Sequence, residues 1–241
     1  MKKIIIISGS PNERSTTQEL AEEIVNKVTS EKKFYTWTTL KLSEKNILRC
    51  KGCKQCFRTG TCYRNNEDDM EAIVEAIRES DVAIWATPSY INHIPGSMKN
   101  FIDRLASSTH KMDFAGISAF TFVTSSNSGR LKIEEYLNDT LAWLGFKVMG
   151  NFGFVYSENI GREQFIEETC FNIMETMKYA YGHSSLQLEK NFRKLYSIPI
   201  FTSNQEVRSR FEWHYWNRVR EAQIKSFQCY SKKMKEGKTN G

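Results

Sequence analysis

Four consecutive isoleucines, Ile4, Ile5, Ile6 and Ile7, run straight into Ser8, Gly9, Ser10 and Pro11. A short β-branched run with no polar interruption, closed by Gly and Pro, specifies a strand covered on both faces. Such strands lie in the middle of parallel sheets. The loop that follows is mostly hydroxyls, with Asn12 and the opposed charges Glu13 and Arg14 among them, and a helical pattern begins after it. That arrangement suits a phosphate, because amides at a helix start lack intrahelical acceptors and the dipole favours negative charge. Glu13 works against this and is expected to point away. A plain βα turn capped by Ser and Thr would share the composition. Neither G-x-x-x-x-G-K-[ST] nor G-x-G-x-x-G is present, which disfavours P-loop nucleotidases and dinucleotide-type Rossmann domains. A loop suited to a monophosphate remains, such as the 5′-phosphate of FMN.

Strand and helix then alternate. Leu20, Ile24, Val25 and Val28 give an amphipathic helix over about residues 16–29. Residues 34–42 form a second strand, less uniformly apolar and so nearer an edge. A loop over residues 43–65 precedes Asn66, read as an N-cap. Glu67, Asp68 and Asp69 are then expected in a first helical turn, ahead of Met70, Ile73, Val74 and Ile77. Residues 81–87, 116–124 and 146–156 are the third, fourth and fifth strands. Met98, Phe101, Ile102 and Leu105 mark the helix between the third and fourth; Ile133, Leu137, Leu141 and Leu144 mark the next, with Gly145 as its C′ residue. Five strands alternating with helices argue a doubly wound parallel sheet, in the flavodoxin-like order 2-1-3-4-5. Polar loops after strands one, three and four would then open on one edge. Beyond residue 156 a helix carrying Ile166, Cys170, Ile173, Met174 and Met177 is expected, then an irregular stretch to about residue 204. A single long helix with Val207, Phe211, Tyr215, Val219, Ala222 and Phe227 would follow. Residues 1–156 would thus be the sheet domain and residues 157–241 a helical extension.

The formal charge is +6, and residues 197–241 hold nine Lys or Arg against four Asp or Glu, a net of +5. This concentration could serve nucleic acid or an acidic partner; a solvated, Lys-rich helix end explains it more simply, and no nucleic-acid partner is expected. No apolar run approaches the ~20 residues needed to span a bilayer. The apolar run near the N-terminus is too short for a signal peptide, so a cytoplasmic protein is expected.

The pieces SGSPNERSTT, CKGCKQCFRTGTCYRNNEDDM, TPSYINHIPGSMKNFIDR and TSSNSG resemble the flavodoxin-like NAD(P)H-dependent FMN reductases, and most closely the iron–sulfur flavoprotein branch. The resemblance covers residues 1–156. It implies that Ser10, Asn12, Ser15, Thr16 and Thr17 meet the FMN phosphate. It implies further that Pro88, Ser89, Tyr90, Ile91 and Asn92 lie along the isoalloxazine, and that Ser125, Ser126, Asn127 and Gly129 meet its far side. Tyr90 would supply a flat apolar wall with a polar tip. Lys99, Asp103 and Arg104 belong to the same string; Lys99 and Asp103 stand four apart, the spacing of a salt-bridged helix surface.

Cys50, Cys53, Cys56 and Cys62 read C-x2-C-x2-C-x5-C. Three thiolates at i, i+3 and i+6 can wrap a cuboidal cluster and a fourth can close it, although the ferredoxin run has a shorter last gap followed by Pro. The resemblance implies a [4Fe–4S] cluster here, near the flavin edge. Zinc could take four thiolates, but paired C-x2-C knuckles are its commoner spacing. A family member that keeps the cysteines without a cluster is the other reading; disulfides are disfavoured in a cytosol. Cys170 reads as core, and Cys229 has no partner at useful spacing. His93 alone of the four histidines is near the flavin loop, and is read as a polar loop residue before a proton donor. Trp213, Tyr215 and Trp216 suggest a dimer or tetramer contact. The expected activity is an FMN-dependent oxidoreductase, passing electrons from NADH or NADPH to a quinone, small-molecule or protein acceptor, with no catalytic side chain nominated. The alternative is a non-enzymatic FMN and iron–sulfur carrier between proteins.

Overall fold

A computed structural model describes residues 2–31, 34–158, 161–178, 184–201 and 205–239. Strands β1 (Lys2–Ser8), β2 (Tyr35–Lys41), β3 (Val82–Pro88), β4 (Ser118–Ser125) and β5 (Lys147–Val155) form one sheet in the order β2-β1-β3-β4-β5. Every pairing is parallel, with Ile4 opposite Val82 on one side of β1 and opposite Trp37 on the other. The chain adds α1 (Thr16–Glu31), α2 (Gln55–Thr59), α3 (Met70–Arg78), α4 (Gly96–Arg104), α5 (Ala106–Thr109) and α6 (Arg130–Leu144). After β5 come α7 (Arg162–Lys178), α8 (Leu186–Phe201), α9 (Gln205–Arg208), α10 (Phe211–Glu221) and α11 (Phe227–Thr239).

The period-2 geometry of a strand sorts the four isoleucines onto opposite faces. Ile5 and Ile7 join Trp85, Phe101, Ile133 and Leu137 under α3, α4 and α6. Ile4 and Ile6 join Leu20, Ile24, Phe122, Phe165 and Ile173 under α1 and α7. Burying each such side chain contributes about 1.5–3 kcal/mol, so a sheet filled on both sides defines the register. Cys170 is in this second layer, as expected, and its burial raises its thiol pKa to about 11. A third core, built on Phe192, Trp216, Phe227 and Tyr230, ties α8, α10 and α11 to Met112 and Ala115.

Four expectations change. Asn66 is not an N-cap: it lies inside a 3-10 turn, Asn65–Glu67, and α3 starts after Asp69. Asp68 is outside the helix because its carboxylate accepts from the amides of Leu48 and Met70 and pairs with Arg104. The stretch expected to be irregular holds α8, whose Leu188, Phe192 and Leu195 are buried. The single long terminal helix is instead α9, α10 and α11. Gln223 has φ +60; its amide donates to the Arg220 carbonyl at 2.9 Å and the Ile224 amide to Val219 at 3.3 Å. That is a Schellman stop with Gln where Gly is usual.

Candidate functional site

The loops after β1, β3 and β4 meet at the carboxyl edge of the sheet. Ser8, the end of β1, pairs with Ala86, so the first and third loops leave the sheet side by side. The Gly9 amide donates to the Ala86 carbonyl at 2.8 Å, and Ser97 Oγ of α4 donates to the Gly9 carbonyl at 2.7 Å. Within the first loop the Asn12 amide donates to Ser10 Oγ at 3.2 Å and the Gln18 amide to Ser15 Oγ at 3.3 Å. The Glu19 amide bonds back to the Ser15 carbonyl, so Thr16 and Thr17 stand at the start of α1, where amides have no intrahelical acceptor. Glu13 is exposed and lies outside the cavity lining.

Residues from all three loops line one polar cavity of about 240 Å³: Ser10, Asn12, Ser15, Thr16 and Thr17, then Pro88, Ser89 and Tyr90, then Ser125 and Ser126. Arg14, Thr124 and Tyr156 also line it; Arg14 belongs to the first loop, and Tyr156 directly follows the end of β5 and so lies at the same edge. Thr17 in the first turn of α1 and Thr124 near the end of β4 share a buried hydroxyl–hydroxyl bond of 2.5 Å. Ser125 Oγ is buried here with no hydrogen-bond partner, which is costly unless something at the site supplies one.

Asn92, Asn127 and Gly129 line a second cavity of about 500 Å³ alongside. Ser89 Oγ donates to the Ser128 carbonyl at 3.2 Å and Ser128 Oγ to Asn92 Oδ1 at 2.8 Å, closing the third loop on the fourth. Gly129 is required there: its φ is +90, and a Cβ would stand 2.6 Å from Ser89 Oγ and 2.7 Å from Asn92 Cα. Ile91 lines neither cavity and is 98% exposed. His93 is exposed, with its ring packed on Tyr136 at 4.8 Å, in keeping with a polar loop residue. His110 is bonded to Glu212, His214 is exposed, and His183 lies outside the described residues.

Cys50, Cys53, Cys56 and Cys62 line a separate cavity of about 440 Å³, together with Arg49, Lys51, Gly52, Lys54, Phe57, Tyr63, Arg64, Asp103, Arg104 and Ala106. Burial, and then the neighbouring Cys62, Cys53 and Cys50, push the Cys56 thiol pKa up, so the four sulfurs act on one another. Among the described residues no three His, Cys, Asp or Glu side chains converge on a single-ion site. A cuboidal cluster binds one thiolate per iron, so its ligands surround a volume and do not converge on a point. A partly open cavity lined by four cysteines fits that donor set better than it fits one zinc ion.

This cavity shares no lining residue with the two cavities at the carboxyl edge of the sheet. The cysteine loop runs back along α4: Asn100 Nδ2 donates to the Ile47 carbonyl at 2.9 Å and Arg104 Nη1 to Leu48 at 2.7 Å. The eight rises of α4 from Gly96 to Arg104 span about 12 Å. Cys50 is close enough to Lys99, three residues into α4, to act on its ammonium. Lys99 and Asp103 form the expected surface pair.

Residues after β5 build the outer wall of the cysteine loop. Phe211 of α10 packs against Gly60, where a Cβ would be 2.8 Å from its ring. The Phe57 ring of α2 packs at a tilt on His110, centroids 4.4 Å apart, and His110 Nδ1 is 2.7 Å from Glu212 Oε1. Of the three aromatics, Trp216 is fully buried, with Nε1 donating to the His110 carbonyl at 2.8 Å, and belongs to the core, whereas Trp213 and Tyr215 are half-buried. Tyr215 is tied to the Tyr230 hydroxyl.

Residues 2–159 match the family described as NADPH-dependent FMN reductase. The chain belongs to that family. A relative named iron–sulfur flavoprotein, from Archaeoglobus fulgidus, is 35% identical over 104 residues, 42% of this chain and 48% of its own length. The chain thus spans about half of that relative. A second from the same organism is 27% identical over 65% of this chain and 71% of its own length. One from Methanosarcina thermophila is 28% identical over 62% and 78%. Among solved structures, an NADH:FMN oxidoreductase superposes with TM-score 0.56 at 21% identity, covering 78% of this chain and 94% of its own. RosB, solved with 8-demethyl-8-formylriboflavin-5′-phosphate, covers all of this chain and 88% of its own with TM-score 0.56 at 13% identity. An FMN-dependent NADH-azoreductase from Bacillus anthracis reaches 0.55 at 11% identity, covering 75% and 100%. These likenesses establish the family and the flavodoxin-like fold.

Proposed function

We propose that the chain is an FMN-dependent oxidoreductase that takes electrons from NADH or NADPH and delivers them to a quinone, another small molecule or a protein. The observation that carries this reading is the single polar cavity made by three loops far apart in sequence. Ser10, Asn12, Ser15, Thr16 and Thr17 would hold the phosphate, with the α1 amides supplying donors and the dipole favouring the anion. Ser125 Oγ, buried without a partner, is a donor in search of an acceptor such a ligand provides. Pro88, Ser89, Tyr90 and Asn92 would border the ring, and Ser126, Asn127 and Gly129 its far side. FMN supplies the hydride and electron chemistry when bound. The protein's part is to grip the phosphate, wall off one face with Tyr90 and lock the third loop against the fourth.

The cysteine cavity supports a [4Fe–4S] cluster as a second centre, held by Cys50, Cys53, Cys56 and Cys62; relatives carry iron–sulfur flavoprotein as their name. Residues 1–156 would make up the flavin unit and residues 157–241 an extension that walls in the cysteines, in a homo-oligomeric protein of the cytoplasm. Among the described residues no helix is long and apolar enough to cross a membrane. Steady-state oxidation of NADH and NADPH with a quinone or dye acceptor tests the activity. Turnover that requires FMN supports it. Flavin that is reduced only by a protein donor, and never by nicotinamide, would replace it with the electron-carrier reading.

A further inference from the structure

Arg104 faces the four cysteines from inside the protein. Its side chain is 1% exposed, that of its partner Asp68 is 0% exposed, and Arg104 lines the cysteine cavity. A guanidinium carries five N–H donors in a rigid fork, so their destinations can be counted. Nη1 donates to Asp68 Oδ2 and, at 2.7 Å, to the Leu48 carbonyl. Nη2 donates to Asp68 Oδ1 at 3.3 Å and to Asn65 Oδ1 at 3.4 Å. The remaining donor, Nε–H, is buried and has no hydrogen-bond partner. Cys62 is the electron-rich neighbour that acts on this guanidinium from the cavity side.

A buried charged donor left idle is expensive, and natural structures keep few of them. Asp68 cannot be spared to serve it, since that carboxylate already accepts from the amides of Leu48 and Met70. The fork is therefore fixed in place, with one N–H left over at the cavity that the four cysteines line. We propose that Arg104 sets the reduction potential of the iron–sulfur group held by Cys50, Cys53, Cys56 and Cys62, by donating Nε–H to sulfur at the Cys62 corner. The inference rests on the cluster reading above. One electron, supplied from the FMN site once nicotinamide has reduced it, adds one negative charge to the sulfur cage without making or breaking a bond. A fixed N–H aimed at that cage stabilises the more negative form, and hydrogen bonds to sulfur are an established lever on such potentials. Lys51 and Lys54 also line the cavity, but both are exposed, where solvent and salt weaken a charge. Arg104 is screened by neither.

The test begins with wild-type protein, reconstituted anaerobically and assayed for FMN, iron and sulfide. Redox titrations of the cluster, followed by electron paramagnetic resonance, are then compared between wild type and Arg104→Lys. Lysine keeps the charge but loses the fork and the Nε–H. The expected result is a more negative cluster midpoint in the variant with the flavin midpoint unmoved. Should the variant not retain iron, the wild type decides: with ¹⁵N-arginine incorporated, the reduced cluster should show hyperfine coupling to ¹⁵N. A loaded variant with an unchanged midpoint, or a wild-type cluster without that coupling, overturns the role of Arg104 and leaves the cluster standing. A wild type that binds FMN but takes up no iron or sulfide overturns the cluster reading, and this inference with it.

Discussion

Ile91 holds a backbone φ of +51, followed by Asn92 at +58. The Tyr90 amide donates to His93 at 2.8 Å and the His93 amide to Tyr90 at 3.1 Å, so the pair forms a two-residue turn of the I′ kind. Asn accepts that conformation readily. Isoleucine does not: an L residue with a Cβ loses about 1–2 kcal/mol there, and the 98% exposed side chain recovers nothing by packing. Strain of this sort collects at working sites. Ile91→Asn should therefore stabilise the protein by about 1 kcal/mol, read as a higher urea midpoint at unchanged slope. A lower midpoint would mean that Ile91 makes a stabilising contact after all. Thr17→Val makes the opposite case, since it keeps the shape and removes a hydroxyl that lines the cavity and meets Thr124. FMN affinity, followed by quenching of flavin fluorescence, should fall about tenfold or more, because Thr124 loses its partner and the site a donor. Unchanged affinity would remove Thr17 from the phosphate cradle.

At the scale of elements, α2 has five residues and none of them is buried, so it cannot hold its own shape. Its support comes from Phe211 against Gly60, from His110 against Phe57, and from the Asp68–Arg104 pair beneath the loop. Phe211→Ala should leave FMN affinity intact while Cys53 and Cys56 of the metal-free protein become several-fold faster to alkylate, by mass spectrometry. Equal rates would show that the extension does not brace the loop. This support was not legible in the sequence. Asp68 and Arg104 are thirty-six residues apart with no shared motif, and acidic residues ahead of a helix have a simpler local use in its first turn. The stop at Gln223 was missed for a related reason, since the expected signal is Gly and tertiary packing of Ile224 and Phe227 fixes the turn instead. Where local signals agree with the fold, as at Gly145 after α6, boundaries are readable from residues alone.

For the molecule as a whole, the sheet order followed from an isoleucine run that only a central parallel strand can bury. The three edge loops followed from the order. Which side chains share which cavity did not, because distances between loops are set by Gly129 and by serine bonds that have no sequence period. Buried carboxylates should also govern acid stability. Burial pushes Asp113 upward, but Lys111 and Arg78 outweigh it and hold the carboxyl below its ordinary 3.8; for Asp68, burial is likewise outweighed by Arg104 and two backbone amides. A depressed folded pKa gives stability that is complete above the unfolded value and lost as pH falls through the folded one. Thermal midpoints should therefore carry the full contribution of these two groups, without pH dependence from them, down to about pH 4 and drop below it, with a shallower drop in Asp113→Asn. An identical acid limb in that variant would contradict the assignment. The central claim is that three distant loops build one FMN site with a phosphate end. It is tested most directly by titrating flavin-free protein with FMN and with riboflavin under the same conditions. Saturable one-to-one binding of FMN, at least a hundredfold tighter than riboflavin, is the result this account requires; failure to bind FMN, or equal affinity for the two, would contradict it.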